Sequence, residues 1–368
     1  MPNFSPRRAN NFMLLSILFG NILVYMIYHT AANMLHLSPE VVGPFVDLIT
    51  RPQVAIVIGQ LSVTVLPFVV YLSVTGQRVS DVLPLKPVGA LNLFLIALIT
   101  ITLMPLATLF NIITMLALGI ENNVGEIVDE MSRASFGVTF LIIAIMPSIF
   151  EEITMRGIIL SNYRNVDIHK AALVNGLFFG IFHLNPIQFL YAFLLGYVFA
   201  LMVFYTKSIY SAIFAHFVFN GTQLLIVRFA QEYQYQMAQG EIIAPDIAHS
   251  EMVAALMLFY VIVAVIFTPV AVLLFKSFKV INRKNLLKEE FETLMLEADD
   301  TGNHSGLDVV TFGSARFDSA DFDPAHVKLP ESDSSFHEGG QGGRRIITLS
   351  FVITIVLYII FVAIAYGQ

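Results

Sequence analysis

The sequence predicts an all-α protein threaded repeatedly through a membrane. Long apolar runs recur along the chain. Of its 368 residues, 57% are hydrophobic and only 13% charged, against about 25% charged in an ordinary soluble domain. Mean hydropathy is +0.76.

A spanning helix needs about 20 mostly apolar residues. About nine stretches are candidates, near 12–34, 53–75, 90–118, 136–160, 170–185, 187–206, 208–229, 251–276 and 346–366. The fifth is short. Pro186 and Lys207 punctuate the sixth, since proline cannot continue a helix that precedes it. The first run follows Arg7 and Arg8, as in a secretory signal. It is too long for one and lacks a small-residue cleavage site, so it is read as a retained helix.

Orientation follows from Lys and Arg in the loops. Arg7, Arg8, Arg78, Lys86, Arg164, Lys170, Lys207 and the cluster from Lys276 to Lys288 fall on one side of an alternating topology. The opposite loops are poorer in cations and partly acidic, as at Glu121, Glu126, Asp129 and Glu130. A cytoplasmic N-terminus and an external C-terminus are therefore expected, in a bacterial cell membrane.

Three regions are expected. Residues 1–280 form the transmembrane bundle, 281–345 an acidic, mostly disordered cytoplasmic segment, and 346–368 a C-terminal transmembrane helix. The middle region opens as a charged helical pattern, Leu286 to Ala298, and continues rich in Asp, Ser, Gly and His. Too few apolar residues remain there to offset ordering entropy. It reads as a tether, or as a site for a partner of the acidic tail. No internal repeat is visible.

Composition also excludes. There is no cysteine, so disulfide and thiolate chemistry is absent. A zinc site would have to use His and carboxylates. No basic cluster is interleaved with aromatics, which argues against a nucleic-acid partner.

Chemistry is concentrated in ionisable residues inside the apolar runs. Such a group costs several kcal/mol on insertion scales, so it needs a partner or a purpose. The fourth run contains Glu151-Glu152-Ile153-Thr154-Met155-Arg156. Glu152 and Arg156 are four apart with the acid first, the favoured ion-pair order. Glu151 points about 100° away and is left as the carboxylate outside that pair, a candidate general base.

The fifth run carries Gly176, Gly180 and His183. The two glycines form a small-xxx-small face that lets another helix approach closely. His183 shares that face and is expected to point into the bundle. The seventh run carries His216 and Asn220, stacked by four-residue spacing and able to donate hydrogen bonds to an oxyanion. Phe178, Phe179, Phe182, Phe217 and Phe219 read as core or lipid-facing bulk.

Depth is a separate test. Glu151 precedes Arg164, and His183 follows Lys170, by about 13 residues each, or about 20 Å of helix. His216 and Asn220 lie about 14 and 20 Å past Lys207. Two carboxylates, two imidazoles and an amide thus converge on one level, a set that a purely structural bundle does not need.

Three ordered motifs, Glu151-Glu152-x-x-x-Arg156, Phe179-x-x-x-His183 and His216-x-x-x-Asn220, resemble those of the CAAX prenyl endopeptidase and bacteriocin-processing (CPBP, or Abi) intramembrane protease family. The resemblance covers roughly 136–229. Met155 departs from it, standing where the family commonly has an aromatic. The resemblance implies a conical bundle of about eight helices around a catalytic four-helix core, with the ninth span as an addition. It implies hydrolysis of a peptide bond in a membrane-associated protein or peptide. Glu151 would activate water, His183 would orient it, His216 and Asn220 would stabilise the oxyanion, and Glu152 and Arg156 would hold Glu151 in place. A metal-free mechanism is expected. A zinc-dependent version would draw on Glu151, His183 and His216 as ligands, but the His-Glu-x-x-His signature is missing. A different class of function, proton-coupled transport, would also place carboxylates and His in the membrane.

Overall fold

The computed structural model describes residues 4–119, 134–239, 249–301, 309–312, 315–318 and 346–366. Eight described helices are long and apolar enough to cross a membrane. In chain order the elements are α1 (Pro6–Leu37), α2 (Pro39–Thr50), α3 (Pro52–Thr75), α4 (Val79–Val82), α5 (Ala90–Leu118), α6 (Phe136–Asn162), α7 (Ile168–Phe182), α8 (Pro186–Thr206), α9 (Ile209–Ala238), α10 (His249–Thr301), the strands β1 (Val309–Phe312) and β2 (Ala315–Asp318), and α11 (Leu349–Tyr366). The expected all-α polytopic membrane fold is what the chain adopts.

Local chemistry sets the boundaries. Pro52 and Pro186 sit in the first turns of α3 and α8, where a missing N–H costs nothing. Asp167, Asn185 and Ser208 cap α7, α8 and α9 by accepting from Lys170 N, Ile187 N and Tyr210 N, which satisfies otherwise orphaned donors. Gly76 ends α3 with φ of 65°, a left-handed stop that glycine adopts without strain.

One expectation changes here. The span expected at 170–185 is α7, which ends at Phe182. Its 15 residues reach about 22 Å, less than the roughly 30 Å hydrocarbon core. Leu184 turns left-handed, with φ of 48°, and Asn185-Pro186 starts α8 at once. His183 is therefore the C-cap residue of α7, not an interior one. Within the region 281–345, α10 continues through the charged helical pattern expected at Leu286 to Ala298 and ends at Thr301, and the antiparallel pair β1–β2 follows. An apolar helix already nucleated in the membrane propagates readily into the Leu286–Ala298 pattern. The rest of that region lies outside the described residues. The amphipathic α2 was not expected.

The predicted close approach at Gly176 and Gly180 is made by α8. A Cβ on Gly176 would come within 2.6 Å of Phe193 O, and one on Gly180 within 2.8 Å of Phe189 O. From the α8 side, Gly196 meets Gly176 Cα at 2.8 Å on the same test. The α7–α8 hairpin is thus packed backbone to backbone, through small residues that lipid-embedded helices favour.

One end of the bundle collects the loops assigned to a single membrane side. Arg164 donates to Asp81 O at 3.1 Å, and Ile209 N to Pro84 O at 2.7 Å. Asn10 donates to Ile346 O and Thr348 Oγ1 and accepts from Tyr163 at 2.5 Å. Asn92 and Asn282 exchange amide hydrogen bonds at 2.9 Å. The C-terminal helix α11 is not loosely appended. Phe351 packs on Phe178 and Tyr358 stacks on Phe189, with ring centroids 5.4 Å apart in both pairs.

Candidate active site

Buried apolar side chains form two groups. One joins α1, α6, α7 and α11 around Met13, Ile158 and Phe178. The other joins α5, α8, α9 and α10 around Ile99, Phe199 and Phe278. Arg156 sits at their seam, its guanidinium carbon 4.8 Å from the centroid of Phe179 and 5.4 Å from that of Phe199. Aromatic shielding of this cation therefore comes from α7 and α8, although Met155 stands beside it in the chain.

Three wide-turned π segments interrupt the helices here, Leu61–Val65 in α3 and Leu141–Ile145 and Ile153–Ile159 in α6. Such segments break the regular hydrogen-bond register and recur at functional sites. Each meets the polar cluster. Gln60 immediately precedes the first. Ile143 O in the second accepts from Asn220 Nδ2 at 3.1 Å. Arg156 lies in the third, directly after Glu152.

The pair read from spacing is present. Arg156 Nη1 donates to Glu152 Oε1 at 2.9 Å, with both side chains fully buried. Arg156 Nη2 donates to Gly196 O at 3.1 Å. The same Glu152 Oε1 lies 2.8 Å from His216 Nδ1. Glu152 already accepts from Arg156 through this oxygen, which places His216 Nδ1 as the donor. Spacing did not reveal this third member, because α6 and α9 are distant in sequence.

Glu151 faces elsewhere, as expected. Its Oε1 accepts from Gln60 Nε2 at 2.6 Å. Among the described residues its Oε2 has no hydrogen-bond partner, and it lies 4.0 Å from His183 Nε2, too far for a direct hydrogen bond. His183 Nδ1 lies 2.8 Å from Phe179 O. That carbonyl only accepts, so Nδ1 donates and the neutral ring presents Nε2 as an acceptor.

Glu151, His183, His216 and Asn220 all line one cavity of about 530 Å3. Glu152 and Arg156 stand behind it and hold His216. Gln60, Asn111 and Tyr191, which sequence reading passed over, line it too. A lone polar residue in an apolar run is usually packing glue, so no sequence signal set Gln60 apart. Phe179 and Phe219 are also more than bulk. Phe179 lies edge-on to both imidazoles, 4.9 Å from His183 and 5.7 Å from His216, and Phe219 stacks on Tyr191.

The three residues named as possible zinc ligands, Glu151, His183 and His216, line the same cavity. Both imidazoles leave Nε2 free while Nδ1 donates to an oxygen, an arrangement that ligating histidines also show, but among the described residues no group of three or more His, Asp or Glu is placed to hold a metal ion.

No curated protein and no solved structure matches the chain. Residues 133–222 match the family model described as Type II CAAX prenyl endopeptidase Rce1-like, a stretch that holds Glu151, Glu152, Arg156, His183, His216 and Asn220 and supports a CAAX-type intramembrane endopeptidase.

Proposed function

We propose that this cavity hydrolyses a peptide bond of a membrane-associated protein or peptide by glutamate-activated water attack, without a metal. The observation that carries the reading is the pair of acceptors Glu151 Oε2 and His183 Nε2, 4.0 Å apart in a shared cavity. A water donating one hydrogen to each at about 2.8 Å bridges roughly 4.0–4.5 Å. Both its hydrogens are then held, and its oxygen lone pairs face the substrate.

The chemistry follows from that placement. Water gives a proton to Glu151 Oε2 as its oxygen bonds to the carbonyl carbon. The resulting oxyanion accepts from the second Asn220 Nδ2 hydrogen, the first being bound to Ile143 O. It also accepts from His216 Nε2. That donation requires the imidazolium, which ionised Glu152 at Nδ1 stabilises. Glu151 then passes its proton to the leaving amine as the C–N bond breaks. Glu152 and Arg156 act through His216 rather than through Glu151, which shifts the role that family resemblance gave them.

The test uses purified protein in liposomes with a farnesylated CAAX peptide and its unprenylated counterpart. Cleavage by wild type and none by Glu151→Gln supports the mechanism. Undiminished cleavage by that variant overturns it. Chelation followed by zinc readdition tests the metal-free claim, because a lost and restored activity would contradict it.

A further inference from the structure

We infer that Gln60 is a positioning residue for Glu151, fixing which carboxylate oxygen faces the reacting water. The inference rests on the reading of Glu151 as the base. Gln60 lies on α3, outside the stretch matched by the family model. Its Nε2 donates to Glu151 Oε1 at 2.6 Å, and both residues line the cavity.

The two carboxylate oxygens differ in one respect. Oε1 is engaged by Gln60, while Oε2 has no hydrogen-bond partner among the described residues and lies 4.0 Å from His183 Nε2. A carboxylate attached through rotatable bonds can present either oxygen, or neither, to a water between itself and His183. A donor on Oε1 removes that freedom. Charge-assisted hydrogen bonds are short and directional, and a misplacement of about 1 Å costs about 100-fold in rate.

A merely structural role fits the surroundings less well. A glutamine that joins helices as glue engages both ends of its amide. Gln60 Oε1 is buried with no hydrogen-bond partner among the described residues. The amide orientation is also forced, because turning it would set two acceptors against each other. Backbone geometry adds to this. Gln60 stands at the junction of α3 with its π segment Leu61–Val65, and Thr64 Oγ1 donates to Gln60 O. The residue that aims the amide is thus held by the wide turn that follows it.

The experiment compares wild type, Glu151→Gln and Gln60→Met, which keeps the length of the side chain and removes the donor. Elution and melting establish folding, and Gln60→Asn, an amide too short to reach, replaces the methionine variant if that one fails to fold. Two readouts are taken. The first is cleavage of the farnesylated peptide. The second is the infrared carboxylate bands of Glu151, assigned by subtracting Glu151→Gln, which need no activity. The expected result is a fall in kcat of about 10- to 100-fold, KM within about twofold of wild type, and a shift of the Glu151 bands. Unchanged kcat, a change confined to KM, or bands that do not move would each overturn the assignment. If wild type cleaves nothing, the protease reading fails by that result, and the band shift alone decides whether Gln60 sets the state of Glu151.

Discussion

His216 donates from Nδ1 to Glu152 Oε1 across 2.8 Å, so the carboxylate that neutralises Arg156 also orients an imidazole of the cavity. Glu152 therefore has two duties, and its replacement tests both. Glu152→Gln leaves Arg156 a buried, uncompensated charge, which typically costs about 3–5 kcal/mol. A much lower melting temperature is expected. The double variant Glu152→Gln with Arg156→Met removes the charge imbalance and should recover most of that stability, yet not activity, because His216 loses the partner that supports its imidazolium. Thermal unfolding in detergent and a cleavage assay separate the two effects.

Asn220→Ala removes one oxyanion donor. Loss of such a donor typically lowers kcat by about 100- to 1,000-fold. KM should change little, since the interaction forms fully only in the tetrahedral state. Steady-state kinetics in liposomes check this, and a variant altered in KM alone would move Asn220 to substrate binding.

The α7–α8 hairpin predicts its own sensitivity. Gly180→Leu sets a side chain against Phe189 O, where even a Cβ comes within 2.8 Å. The hairpin must part, and the turn that carries His183 must shift. Loss of activity with a lowered melting temperature is expected. Leu177, on the partly exposed α7 surface that packs at the core edge, should accept Ile with much smaller effect.

Asn10 holds the C-terminal helix. Asn10→Leu removes its bonds to Ile346 O, Thr348 Oγ1 and Tyr163. Interhelical hydrogen bonds in membranes average about 0.6 kcal/mol each, so a modest drop in melting temperature is expected. Protease accessibility near residue 346 should rise, which limited proteolysis of the solubilised protein would detect.

The fold was legible in the sequence because membrane insertion leaves a signal that single residues carry additively. Eight spans emerge close to their expected positions, and Ala90–Leu118 agrees at both ends. The fifth run is overextended, because no glycine or proline interrupts the sequence between Phe182 and Pro186 while the helix stops at Phe182. The left-handed Leu184 that ends it is not a residue type that announces a turn. Within the site, contacts inside one helix were readable, as Glu152 with Arg156 shows. Contacts between helices were not. Nothing in the spacing joins Gln60 to Glu151 or His216 to Glu152, and the π segments that set their register have no sequence signature. Depth counting nevertheless brought Glu151, His183, His216 and Asn220 to one level, and the structure places all four around one cavity.

The most direct test of the account is a comparison of protein N-termini in membranes of cells carrying wild-type protein or Glu151→Gln, at matched expression. The account predicts new N-termini within membrane-associated proteins that appear with wild type and are missing with the variant. Identical sets of N-termini in the two membranes would contradict it.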